Sequence, residues 1–135
     1  MMDMPGSLTL PKSEIIKSSR EISEVFKKGK RRSGNYISLS YLLHQSPDEL
    51  RTVRVAFTVS RKVRRAVDRN RLKRLMREVY RLKREKLRLA IAGASSRLDL
   101  VMNCLSDHTQ DRVSLRDIEE DFEHLLSEIS KEIAR

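Results

Sequence analysis

The sequence predicts an α/β fold in which helices pack on one small β-sheet. The stretches 36–44 and 52–60 alternate apolar and polar residues, as strands with one buried face do. A third strand-like stretch, 98–105, follows a long amphipathic region that begins near residue 67. A strand, a long helix and another strand in this order are typical of a crossover within one sheet.

Length and composition limit the kind of protein. The 135 residues indicate one domain, which we expect over residues 15–135, with residues 1–14 extended or disordered. The single cysteine, Cys104, excludes an intrachain disulfide and is typical of a reducing, cytoplasmic setting. No signal peptide or membrane span is expected from the apolar pattern. The net charge of +10 favours a nucleic acid over a lipid surface, because Trp is absent and the apolar stripes are ordinary core stripes.

Capping and periodicity predict the remaining elements. Ser18 followed by Glu21 resembles a capping box and predicts a helix of about ten residues that ends near Gly29. The two alternating stretches are separated by a turn at 45–49, which predicts an antiparallel hairpin. A last amphipathic helix is predicted over about 114–133. Its buried stripe is expected to be Leu115, Ile118, Phe122, Leu125, Leu126 and Ile129.

Positive charge is concentrated in the long helix, between residues 61 and 88. This stretch holds 14 Lys and Arg residues and three acidic residues, a net charge of +11. Like charges four residues apart on a helix repel each other, so a row of them indicates an anionic ligand that offsets the repulsion. Ten of the 14 are Arg, whose planar guanidinium binds phosphate in a bidentate way. The apolar stripe predicted for this helix is Val67, Leu72, Leu75, Met76, Val79 and Leu82.

Residues that could carry catalysis are few. The three His residues stand apart, without zinc-ligand spacing, and Cys104 alternates with apolar residues as a buried side chain does. A second basic cluster at 27–32 fits a solvated helix end and a binding surface equally well. Phe26 and Tyr41 each fit a groove or the core. The acidic residues Glu119, Glu120, Asp121 and Glu123 are interpreted as the solvated face of the last helix.

The residues around the basic helix resemble the signature of the bacterial ribonuclease P protein subunit. The likeness begins at Val59-Ser60-Arg61-Lys62-Val63 and continues from Ala66 to Glu78. Its centre is Arg69-Asn70-Arg71, followed by Lys73-Arg74 and Arg77-Glu78. It extends more weakly over residues 15–105.

The resemblance implies a chemistry and a set of partners. Such proteins assist a catalytic RNA that hydrolyses one phosphodiester bond to remove the 5′ leader of precursor tRNA. The chemistry is then expected on the RNA, with Mg²⁺ held mainly by the RNA subunit and the substrate, and with no catalytic or metal-binding residue in the protein. The implied partners are the catalytic RNA and precursor tRNA, without a membrane or an obligate protein partner.

The resemblance also implies a fold and two binding surfaces. The fold would be a two-layer α+β sandwich similar to the second domain of ribosomal small-subunit protein 5, with a left-handed strand–helix–strand crossover where a right-handed one is usual. The RNA subunit is expected to contact Arg69, Asn70, Arg71, Lys73, Arg74 and Arg77. The single-stranded leader is expected in a cleft between the first helix and the sheet, at Ile22, Phe26, Tyr41 (or, as the less favoured alternative, Tyr36), Arg61 and Lys62.

Two other functions fit the charge. A DNA-binding regulator could place the basic helix in the major groove, but the sequence has no heptad seam and the helix carries its own core stripe. A structural ribosomal protein would share the charge, although not the full motif.

Overall fold

The computed structural model describes residues 12–45, 52–90, 96–105 and 112–133. Within these residues the chain forms a short 3₁₀ helix, three α-helices and four β-strands. The 3₁₀ helix is Lys12–Glu14, and the other elements are α1 (Ser19–Lys28), β1 (Lys30–Ser33), β2 (Ile37–Gln45), β3 (Thr52–Val59), α2 (Ala66–Ala90), β4 (Ser96–Cys104) and α3 (Leu115–Ile133). No helix in these described ranges is long and apolar enough to cross a membrane.

The four strands form one mixed sheet in the order β1-β2-β4-β3. β2 pairs antiparallel with β1 and β4, whereas β3 pairs parallel with β4. The predicted β2–β3 hairpin is therefore wrong, because β4 lies between the two strands. β4 suits this central place because it carries apolar residues on both faces, such as Leu100 and Val101, which are both buried. The predicted crossover is confirmed, since α2 connects the parallel neighbours β3 and β4. The predicted turn at 45–49 lies outside the described residues, except for Gln45 at the end of β2.

The main core lies between one face of the sheet and the helices α2 and α3. The sheet contributes Ile37, Leu39, Tyr41, Val53, Val55, Val59, Leu98, Leu100, Met102 and Cys104. The stripe predicted for α3 is confirmed, with Leu115 partly buried and the other five residues buried. In α2 the prediction fails at Val67 and Leu82, which are 61% and 48% exposed. The buried row instead continues from Met76 through Tyr80 to Leu87, which follows the helical period of 3.6 residues more closely.

The helix α1 packs on the opposite face of the sheet. Ser18 caps it as predicted, accepting a hydrogen bond from the Glu21 amide. Val25 is buried against Ala56 and Val101 in a second, smaller cluster. Gly29 ends the helix in an extended conformation, and a β-carbon there would overlap the carbonyl oxygens of Val25 and Tyr41. The glycine is thus required by the close approach of α1 to β2.

The segment before α1 runs along the free edge of β3. The Ile16 amide donates to the Val55 carbonyl oxygen at 2.8 Å, and Ile15 forms a parallel bridge with Val55. Glu14 pairs with Arg84 and accepts a hydrogen bond from the Tyr80 hydroxyl. Residues 12–14, which were predicted to be extended, therefore form a 3₁₀ helix, and the part of the predicted terminus that covers residues 1–11 lies outside the described residues.

Asp121 does not lie on a solvated face, contrary to the prediction. The residue is 7% exposed, and its carboxylate accepts hydrogen bonds from the backbone amides of Asn35, Tyr36 and Ile37 at 3.1, 2.6 and 3.0 Å. Gly34 passes so close that a β-carbon would lie 2.6 Å from the carboxylate. Asp121 thereby anchors the β1–β2 connection to α3.

Candidate RNA interface

The helix α1 divides its face of the sheet into two parts. Glu21 pairs with Arg54 of β3, and Arg54 also contacts the buried carboxylate of Asp99. Phe26 lies five residues after Glu21, about 140° around the helix axis, and therefore on the other flank of α1. The Glu21 flank is occupied by this ion-pair network, whereas the Phe26 flank faces the sheet end that carries Thr58. Phe26 is 49% exposed there.

The floor of the cleft beside Phe26 is a row of polar residues that crosses the whole sheet. Thr58 pairs with Asn103, Asn103 with Ser38, and Ser38 with Ser33, so all four lie on the α1 face. The row is about 14 Å wide, from the spacing of four adjacent strands. The Thr58 hydroxyl donates to Asn103 Oδ1 at 2.7 Å. We call the space between Phe26 and this row the cleft.

The far side of the cleft is basic. β3 ends at Val59, one residue beyond Thr58, and the turn that follows carries Arg61 and Lys62, both exposed. On β1, Arg31 pairs with Ser40 and so also belongs to the α1 face. The cleft therefore has an aromatic ring on one side and cations at its ends. In its floor Ser33 is exposed, Thr58 and Asn103 are half-buried, and Ser38 is buried.

Tyr41 does not belong to the cleft. The residue is 4% exposed in the main core, on the sheet face that packs on α2 and α3. Its hydroxyl donates to Glu132 of α3, and burial raises the pKa of that hydroxyl. The prediction was off by one residue in register, which reverses the face of a strand. Ser40 occupies the α1 face instead, and Tyr36, the alternative, packs against the main core.

The predicted RNA-subunit residues separate into two groups. Asn70, Arg74 and Arg77 are exposed on α2, and Lys73 is half-buried beside them. The Arg77 guanidinium lies over the Phe57 ring, 5.8 Å from its centroid. The second group consists of Arg69 and Arg71, whose side chains are turned towards the rest of the protein.

Arg69 and Arg71 hold backbone segments. The Arg69 guanidinium donates to the carbonyl oxygens of Val59, Ser60 and Val63 at 3.1, 3.0 and 2.9 Å. Arg71 donates to the Val113 carbonyl oxygen at 2.5 Å, before the start of α3. These two side chains fix the loops around the beginning of α2.

The acidic helix α3 neutralises cations on one side of the molecule. Glu123 pairs with Lys83 and Lys86, and Glu132 pairs with Arg32. The Lys83 hydrogen bond contributes most to lowering the pKa of Glu123. The exposed cations of α2 that face away from α3 and those of the Arg61–Lys62 turn keep their charge available for a ligand.

A model of the ribonuclease P family matches residues 10–130 of the sequence. The chain belongs to this family. It is 42% identical over 97 residues to the ribonuclease P protein component of Chlorobaculum tepidum, which covers 65% of this chain and 63% of that protein. It is 36% identical over 81 residues to that of Syntrophus aciditrophicus, covering 60% and 65%. The chain thus matches less than two thirds of the length of either relative.

Solved ribonuclease P proteins have the same fold. The Staphylococcus aureus protein superposes with a TM-score of 0.65 at 19% identity, covering 87% of this chain and 96% of that one. The Thermotoga maritima protein gives 0.64 at 23% identity, covering 85% and 96%. The resemblance identified from the motif and the α+β fold that it implied are confirmed.

Of the residues expected to bind the leader, Phe26, Arg61 and Lys62 are exposed beside the cleft, and Ile22 packs beneath α1 against the smaller cluster. The sequence interpretation placed Ser38, Ser40 and Thr58 on one polar face that could meet a ligand, but it missed Ser33 and Asn103, which β1 and β4 add to that face. Its signal was present in the alternation of β2 and β3, since the polar positions of both strands share one face.

The described residues contain no group of three or more His, Cys, Asp or Glu side chains that could hold a metal ion. Asp99, the most buried carboxylate of the α1 face, is surrounded by Arg54, Arg97 and His44. These groups do not fit a cation site, because Asp99 is already paired with positive charge.

Proposed function

We propose that the chain is the protein subunit of ribonuclease P, acting in the cytoplasm. It would bind the catalytic RNA and the 5′ leader of precursor tRNA, and so support the endonucleolytic removal of the leader in tRNA 5′ maturation. Membership of the ribonuclease P family supports this proposal. The observation that supports it most directly is the pair of hydrogen bonds from Arg69 of α2 to the carbonyl oxygens of Val59 and Ser60. They connect the exposed basic helix to the end of β3, beside a cleft suited to a single strand.

The exposed side of α2 would bind the catalytic RNA. Arg74 and Arg77 are exposed and lie three residues apart, so they project from the same side of the helix. Guanidinium groups form bidentate hydrogen bonds with phosphate, and Asn70 adds an amide that can donate and accept. This arrangement suits the folded backbone of a structured RNA.

The cleft would bind the leader as a single strand. Unpaired bases stack on aromatic rings, and the exposed ring of Phe26 offers such a platform. Arg61 and Lys62 would neutralise leader phosphates at the mouth of the cleft. A paired, mature tRNA end offers neither a free base face nor a flexible backbone to this surface.

We assign the hydrolysis to the catalytic RNA and place Mg²⁺ on the RNA and the substrate. The protein would raise the affinity for precursor tRNA through the leader and would lower the Mg²⁺ concentration that the reaction needs, since its cations offset phosphate repulsion. Its own side chains bind and orient RNA.

Cleavage of precursor tRNA at low Mg²⁺ tests the proposal. The reaction is run with catalytic RNA alone, protein alone, and both together, and leader release is measured. We expect cleavage only with both. Cleavage by the protein alone would place an active site on this chain, and absence of stimulation despite RNA binding would overturn the proposed role.

A further inference from the structure

We propose that Asn103 reads one base of the leader and favours bases with a keto group over bases with an amino group. The inference rests on the proposed function, because it concerns the same cleft. It goes further by assigning a selectivity to this chain's own residue, at the centre of the polar floor.

The position of Asn103 suits contact with a base. The residue lies on β4, a central strand of the sheet, with Thr58 and Ser38 as its neighbours on β3 and β2. Its side chain is half-buried and projects onto the α1 face, on the side towards which Phe26 points. A base that stacks on the Phe26 ring would direct its edge towards this floor.

The hydrogen bond from Thr58 fixes the orientation of the Asn103 amide. Asn103 Oδ1 accepts the Thr58 hydroxyl proton at 2.7 Å, so the amide oxygen is turned towards β3. The Nδ2 group, with two N–H donors, is then the part of the amide available to the cleft. Thr58 is a positioning residue in this arrangement, since it acts through Asn103.

A pair of N–H donors distinguishes bases by their edges. Uracil offers the O4 acceptor where cytosine offers an amino donor, and guanine offers O6 and N7 where adenine places an amino group beside N7. A donor facing a donor leaves both unpaired, which costs more than a hydrogen bond gains. Keto bases are therefore favoured at the leader position that meets Asn103.

The test measures the affinity of the reconstituted holoenzyme for precursor tRNAs that differ at one leader position. Uracil is exchanged for cytosine, and guanine for adenine, at each leader nucleotide in turn. We expect the keto base to bind about three- to tenfold more tightly than its amino counterpart at one position, as one net hydrogen bond provides. Asn103→Leu should bring this ratio to one while a preference for precursor over mature tRNA remains.

The variant Thr58→Val is a second test, in which Asn103 itself is kept. Without the hydroxyl the amide can rotate and present its oxygen, so the keto-to-amino affinity ratio should fall towards one. Ser127→Leu, a change on the exposed side of α3, is the matched control and should retain the wild-type ratio.

The outcomes separate the inference from the proposed function. Equal affinity of the wild-type holoenzyme for precursor and mature tRNA would overturn the leader cleft itself. A clear precursor preference with a keto-to-amino ratio of one at every leader position would overturn the role of Asn103 alone. A ratio that persists in both Asn103→Leu and Thr58→Val would assign base reading to another group and would likewise contradict the inference.

Discussion

The Arg69 guanidinium donates a hydrogen bond to the carbonyl oxygen of Ser60, with 3.0 Å between the two atoms. Ser60 is the first residue after β3, and the exposed Arg61 and Lys62 follow it. One side chain in the first turn of α2 therefore holds the loop turn that carries the cations of the cleft. The first Arg of the family motif has a structural task in addition to any contact with RNA.

Replacing Arg69 with Gln should destabilise the fold. Three carbonyl oxygens would lose a charged donor, and we expect the free energy of unfolding to fall by about 1–3 kcal/mol. Arg74→Gln, on the exposed side of the same helix, should leave stability unchanged. Thermal unfolding of both variants measures this. Equal melting temperatures for wild type and Arg69→Gln would show that the three hydrogen bonds contribute nothing.

Arg74 should act through phosphate binding. Arg74→Gln is expected to weaken binding of the catalytic RNA and to reduce the slope of log affinity against log salt by about one, as loss of one phosphate contact does. Arg116→Gln is the control, because Arg116 is exposed on α3 and pairs with Glu120 of the same helix. An unchanged salt slope in Arg74→Gln would exclude Arg74 from the interface.

Phe26→Ala should weaken binding of precursor tRNA without changing the affinity for mature tRNA. A lost stacking contact costs about 1–3 kcal/mol, which filter-binding or fluorescence titrations of the holoenzyme can resolve. Tyr41→Phe is the companion variant. It removes a hydroxyl that contacts Glu132 on the other side of the sheet, so leader affinity should stay at the wild-type value. Equal losses on precursor and mature tRNA would remove Phe26 from the leader cleft.

Local patterns predicted the fold elements, whereas strand pairing depended on residues far apart in the chain. The alternation of Ile37 and Leu39 with Ser38 and Ser40 predicted both a strand and its buried face. The alternation carried no information on which strand pairs with β2. Only the folded sheet shows that β4 lies between β2 and β3. β1 went unpredicted because its four residues are all exposed and polar, so no alternation marks it.

The leader-binding role of Phe26, Arg61 and Lys62 comes from the resemblance and stays a prediction. The structure shows Phe26 exposed on α1, and Arg61 and Lys62 exposed in the turn after β3. Tyr41 was misplaced although its alternation with Leu39 already put it on the core face. The inward contacts of Arg69 depend on where the loop after β3 passes, which spacing within α2 does not encode.

Asp121→Asn should destabilise the β1–β2 connection. The carboxylate accepts three backbone amides, and an amide side chain would place its own N–H group against at least one of them. We expect a loss of about 1–3 kcal/mol in the free energy of unfolding, typical of a buried donor left without an acceptor. Hydrogen exchange at Tyr36 and Ile37 should accelerate relative to the centre of β4. Unchanged exchange at these two amides would contradict the anchoring role.

The ion pairs between α2 and α3 should make stability depend on pH in the acidic range. Hydrogen bonds from Lys83 and then Lys86 lower the pKa of Glu123 below its usual value, so the folded state binds this proton less readily than the unfolded state. The stabilisation is therefore present above the unfolded pKa, near 4.5, and is lost as the pH falls through the lower folded pKa. Because Glu123 is about one-third exposed, its contribution at neutral pH should stay below about 1 kcal/mol. Glu123→Gln should flatten the fall in melting temperature between about pH 5 and pH 3, and the double variant Lys83→Gln/Lys86→Gln should flatten it similarly. Parallel pH profiles for wild type and both variants would show that these contacts do not couple the two helices.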